Sequence, residues 1–149
     1  MKVFAENRRA RFDYDILEKF EAGIVLAGYE VKSIKLGMVS LGGSYVVFKG
    51  EEPYLLNANI HPYQPNNMPK DYDSTRLRKL LLNRDEIKYL LGKSEQKGLT
   101  LVPLRLYTKG DKIKLEFGLA RGRKKASKKE VIKKRDTARE IERELKARG

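Results

Sequence analysis

The 149-residue chain is the length of one domain, and 40% of it is hydrophobic, enough for one core. Its 33 Lys and Arg against 20 Asp and Glu leave a net charge of +13, which points to a polyanionic partner. The lack of cysteine excludes disulfides and thiolate zinc sites, and aliphatic runs of at most four residues exclude a membrane-spanning helix, which needs about 20 apolar positions.

The opening stretch, "MKVFAENRRARFDYD", has no apolar segment of a secretory signal, so the expected location is cytoplasmic. It reads as an irregular basic lead-in. In residues 15–26, Ile16, Phe20, Ala22, Ile24 and Leu26 share one parity, which predicts a long half-buried strand. "YEVKSIKLG" spaces Val31 and Ile34 at a helical interval, and Gly37 stops that short helix. "GGSYVVFKG" and "PYLLNANI" form a hairpin around Gly50. The prolines of "HPYQPNNMPKDYD" require a loop. "STRLRKLLLNRDEIKYLLG" predicts two consecutive short helices, with Ser74 capping the first, a bend near Asn83, and an Asn83–Glu86 capping box opening the second. On that reading Leu77, Leu80, Leu81 and Leu82 face the core, while Arg76, Arg78, Lys79 and Arg84 lie outside. "LTLVPLRLYT" and "IKLEFGLA" make a second hairpin, and Pro103 demands an edge or a bulge. About six mostly antiparallel strands and three short helices most economically close a small barrel, so the fold class is mainly β.

Alternation ends at Leu119, which places the domain boundary there. Residues 120–149 hold 13 Lys and Arg against five acids, a net of +8. A capping box at Ser127–Glu130 and i,i+4 pairs such as Glu142–Lys146 favour helix, but Val131, Ala138, Ile141 and Leu145 give only a thin apolar stripe. The expectation is a flexible arm, disordered alone and helical against a phosphate-rich target.

Little here builds a catalytic centre. The one histidine, His61, sits beside Pro62 and reads as structural. Asp13 with Asp15, and Asp71 with Asp73, are i,i+2 acids of the kind common in loops; two carboxylates can hold Mg²⁺, but no metal site is expected. No phosphate-cradling glycine motif is present, so no cofactor is expected. Binding features are richer. "NRRAR" sets Arg8, Arg9 and Arg11 beside Asn7, and Tyr14, Tyr29, Tyr45, Tyr63 and Tyr72 are candidates to stack on bases. An RNA-binding factor, a ribosome-associated structural protein and a metal-dependent nuclease remain the readings to separate.

The ordered set "NRRAR…DY", "FEAGIVL", "EVKS", "NIHPY", "RLRKLLLN", "TLVPLRLY" and "LARGRKK" resembles the SmpB, or SsrA-binding protein, family, from Asn7 to about Lys129. The resemblance implies an oligonucleotide-binding-fold barrel with a basic tail. It implies a non-catalytic protein that binds the tRNA-like domain of transfer-messenger RNA and brings it to the A site of stalled ribosomes. The tail would occupy the decoding centre and the empty mRNA channel. Partners would be that RNA, the small subunit and its rRNA, and, through the complex, elongation factor Tu and alanyl-tRNA synthetase, with no membrane. Asn7, Glu21, Leu81 and Asn83 match family positions linked to RNA binding; Arg8, Arg9, Arg11, Lys32, Arg76, Arg78 and Lys79 complete the expected interface. The tail set is Gly122, Arg123, Lys124, Lys128, Lys129, Lys133 and Lys134. Many members carry a ring and then Asp before the basic pair; this chain has Ala126 and Ser127, so no ring stacks there.

Overall fold

The computed structural model describes residues 1–64, 66 and 68–123. In chain order these form β1 (Val3–Glu6), α1 (Arg8–Asp13), β2 (Tyr14–Ile24), α2 (Gly28–Lys35), β3 (Val39–Ser40) and β4 (Tyr45–Lys49). There follow β5 (Glu52–Leu56), β6 (Asn59–Ile60), β7 (Arg78–Leu81), α3 (Arg84–Ser94), β8 (Leu99–Lys109) and β9 (Lys112–Gly122). Strands β8, β4, β5, β7, β2 and β9 are neighbours in that order, and β9 pairs back onto β8. The result is the expected small closed barrel of six antiparallel strands with three helices, oligonucleotide-binding-fold-like in class. Closure removes the exposed strand edges that invite aggregation. β1 adds to the far half of β8, opposite Arg105 to Tyr107, while β4 takes the near half at Leu101. β3 and β6 form a separate short ribbon.

The alternation of β9 points Leu115, Phe117 and Leu119 into the barrel, where each is at most 2% exposed. Phe117 stacks on Phe20 of β2 at 5.6 Å between ring centroids. Leu80, Leu101, Leu106 and Leu55 fill the same core, α2 adds Ile34 and α3 adds Leu90. Ala10 of α1 packs with Val102, Leu104 and Ala120 in a second cluster. Two-residue turns close both hairpins, at Gly50 (φ +62°) and Gly110 (φ +65°), where a side chain would be strained.

Pro103 causes the expected bulge: the β8–β9 register shifts between Pro103 and Arg105. Three expectations are corrected. The lead-in is ordered as β1 and α1. Its N-cap, Asn7, accepts from the Ala10 amide at 3.3 Å and donates Nδ2 to the Pro103 carbonyl at 3.0 Å, which pins the helix to the bulge. The first of the two consecutive helices does not form: residues 78–81 are strand β7, with Leu80 inward and Leu81 54% exposed. Closing the barrel between β5 and β2 overrides the helical spacing of the leucines. Finally, β9 runs on through Gly122, three residues past the expected boundary, because Ala120 is buried in the second cluster. The expectations for Lys124, Lys128, Lys129, Lys133 and Lys134, and for the arm as a flexible element, lie outside the described residues. No helix among the described residues is long and apolar enough to cross a membrane.

Candidate nucleic-acid interface

Register places two rows of side chains across the outside of the barrel. One row runs Leu81 on β7, Gly23 on β2, Lys114 on β9, Tyr107 on β8 and Val3 on β1. The next runs Glu21, Glu116, Arg105 and Glu6 over β2, β9, β8 and β1. Arg105 pairs with Glu116 at 3.1 Å and lies over the Tyr107 ring, 5.1 Å from its centroid. Glu21 accepts hydrogen bonds from the Tyr107 hydroxyl and, at 3.2 Å, from Lys109. The Tyr107 bond, with Lys109 and Lys114 in support and burial opposing, holds the Glu21 carboxyl below the usual range. Burial and the Glu21 bond push the Tyr107 hydroxyl up.

This face continues into the α1 corner. Arg105 lines a shallow cleft with Asn7, Arg8 and Arg11. Arg8 reaches Glu6 at 3.7 Å but is 91% exposed, so its charge remains available to a ligand. Arg9 lines a neighbouring cleft with Tyr14, Tyr45 and Gly43. The Tyr14 and Tyr45 hydroxyls lie 3.4 Å apart, and burial with that contact pushes Tyr14 up to about 12. Arg123 closes the corner: its amide donates to the Asp13 carbonyl, and Nε donates to Asp15 at 2.9 Å.

The family model for the SmpB protein matches residues 4–147. The chain belongs to the SmpB family. Its relatives include the "SsrA-binding protein" of Carboxydothermus hydrogenoformans, 52% identical over 99% of this chain and 98% of the relative. That of Thermosynechococcus vestitus is 49% identical over 99% and 97%. A solved structure described as "tmRNA-SmpB: a journey to the center of the bacterial ribosome" matches with a TM-score of 0.67 and 52% identity, over 80% of this chain and 84% of that one.

In this SmpB-family barrel the expected residues divide. Arg8, Arg11, Glu21 and Leu81 share the connected outer face, and Arg9 lies beside it. Asn7 is a correction, since it is 7% exposed with its side chain spent on the Ala10 amide and the Pro103 carbonyl, and it shapes this corner as the α1 cap. Leu81 is not core; it packs beside Gly23, where an added Cβ would meet Leu81 Cβ at 3.3 Å. Asn83 follows β7 and caps α3, accepting from the Glu86 amide at 2.8 Å. Lys79 is exposed and reaches Glu52 at 3.3 Å. Lys32 lies over the Tyr63 ring, 5.5 Å from its centroid. Gly122 ends β9, and Arg123 belongs to the barrel rather than to a free arm.

Arg78 is a correction, since it is 0% exposed and unavailable to RNA. Its five N–H groups donate to Glu30, Tyr72 Oη and the carbonyls of Ala58, Ser74 and Arg76. Arg76 also turns its guanidinium to Glu30. Burial alone would raise the Glu30 carboxyl, but bonds from Arg76, the Ala27 amide and Arg78 more than offset it and hold it low. The paired acids are likewise engaged: Asp15, on β2 rather than in a loop, accepts from Arg123, and Asp73 accepts from Thr75 N and Oγ1, both at 3.0 Å. Among the described residues no group of three or more His, Asp or Glu gathers as a metal site.

Sequence reading missed Arg105, Tyr107, Lys109 and Lys114. Their signal was the outward parity of β8 and β9, which alternation exposes once the strands are paired.

Proposed function

We propose that the protein is a non-catalytic RNA-binding factor for ribosome rescue. It binds the tRNA-like domain of transfer-messenger RNA and delivers it to the vacant A site of a stalled ribosome. The basic C-terminal segment then occupies the decoding centre and the empty mRNA channel, contacting small-subunit rRNA. Elongation factor Tu and alanyl-tRNA synthetase meet the protein through the RNA, in the cytoplasm. The observation that carries this reading is near-full-length identity of about half to SsrA-binding proteins. The outer face supports it: arginines and lysines for phosphate, with few carboxylates left uncompensated. Binding is therefore expected to weaken steeply with salt. The test is to recover the tagged protein from its own cells and sequence the bound RNA, then titrate a transcript of the tRNA-like domain against an ordinary tRNA. Enrichment of transfer-messenger RNA and preference for its domain are expected. Equal binding of both transcripts, without enrichment, refutes the reading.

A further inference from the structure

Glu21 is a carboxylate on a face meant for phosphate, and its surroundings give it a task. Each of its oxygens already accepts a hydrogen bond from β8, two strands away across β9: one from the Tyr107 hydroxyl, the other from Lys109. Tyr107 is 4% exposed and so forms a rigid brace. The Lys109 side chain is 67% exposed, fixed at one end and open to solvent. Lys114, whose charge also acts on Glu21, is the register partner of both Tyr107 and Gly23. Glu21, Lys109 and Lys114 together keep one net positive charge. Gly23 separates Lys114 from Leu81, and the Leu81 side chain packs over the space that a Gly23 side chain would take.

We propose that Lys109 contacts an RNA phosphate and that Glu21 is a positioning residue, acting on RNA by aiming Lys109 rather than by touching a base. This rests on the RNA-binding reading above. A flexible lysine loses rotamer freedom when it is fixed, which weakens binding unless the loss is incurred beforehand. Glu21 fixes it before the RNA arrives.

Full-length protein is titrated with the tRNA-like-domain transcript over a range of KCl concentrations, for wild type, Lys109→Gln, Lys109→Arg, Glu21→Gln and the Glu21→Gln/Lys109→Gln pair. Lys109→Gln is expected to weaken binding about fivefold and to reduce the log–log salt slope by about 0.9, one phosphate's worth. Lys109→Arg restores the slope. Glu21→Gln weakens binding in the wild-type background and changes it less than about twofold once Lys109 is gone. Equal losses from Glu21→Gln in both backgrounds would mean direct contact with RNA and overturn the proposal. So would an unchanged salt slope in Lys109→Gln while wild type binds. If wild type does not bind the transcript, the functional reading itself fails, and this inference with it.

Discussion

Replacing Arg78 with Met tests whether the barrel depends on a charge in its interior. Met roughly keeps the aliphatic volume but donates nothing. Three carbonyls, of Ala58, Ser74 and Arg76, lose a donor, and Glu30 keeps only Arg76, the Ala27 amide and the Tyr72 hydroxyl. Each abandoned buried acceptor costs about 1–3 kcal/mol, although loop carbonyls near the surface recover some of that from water. Breaking one partner out of a buried ion pair costs about 3–5 kcal/mol, which we take as the expected loss. Domains of this size hold about 5–15 kcal/mol in total, so the variant should be visibly marginal. Urea unfolding followed by circular dichroism gives the midpoint and slope. The control is Lys79→Met on the same strand, whose 45%-exposed side chain pairs with an exposed Glu52 and is expected to cost under about 1 kcal/mol. A loss below about 1 kcal/mol for Arg78→Met, equal to that control, would refute the argument.

Gly118→Ala places a Cβ 2.8 Å from Ile16 Cγ2 and 3.3 Å from the Glu18 carbonyl, and should cost about 1–3 kcal/mol by urea midpoint. Gly92→Ala, on α3 with nothing within 4 Å, should instead stabilise by about 0.5–1 kcal/mol. The Glu30 carboxyl is depressed in the fold, so its stabilisation is complete above its unfolded value of about 4.3 and is lost as pH falls through the lower folded value. Arg76→Gln should therefore flatten the fall of the urea midpoint below about pH 4.3; a steeper fall contradicts the assignment. Ending the chain after Arg123 should retain most binding of the tRNA-like domain but abolish peptide tagging in a reconstituted system, and equal loss of both would break the proposed division.

Where the chain alternates, it could be read directly. Strands β2 and β9 follow from parity alone, and the capping box at Asn83 marks the true start of α3. Residues 74–83 could not be read this way. Leu77, Leu80 and Leu81 fit a helical face as well as a strand, and what decides is the demand of β5 and β2 for a neighbour. Arg78 looked like a surface charge because its partner, Glu30, lies 48 positions away. At six residues α1 is too short to show a helical period, although Asn7 before "RRAR" is a fair N-cap signal. Glu21 was legible as a site residue only by resemblance; its partners Tyr107 and Lys109 sit 86 and 88 positions downstream.

Arg123 moors the departing chain. Two bonds, to the Asp13 carbonyl and the Asp15 carboxylate, fasten it beside α1 and the Tyr14–Tyr45 pair. The last described residue is therefore tied to the barrel at a fixed point. The corner that carries Arg9 and the two tyrosines is held at a set angle to the end of β9, and a ligand gripping that corner meets Arg123 as part of one surface.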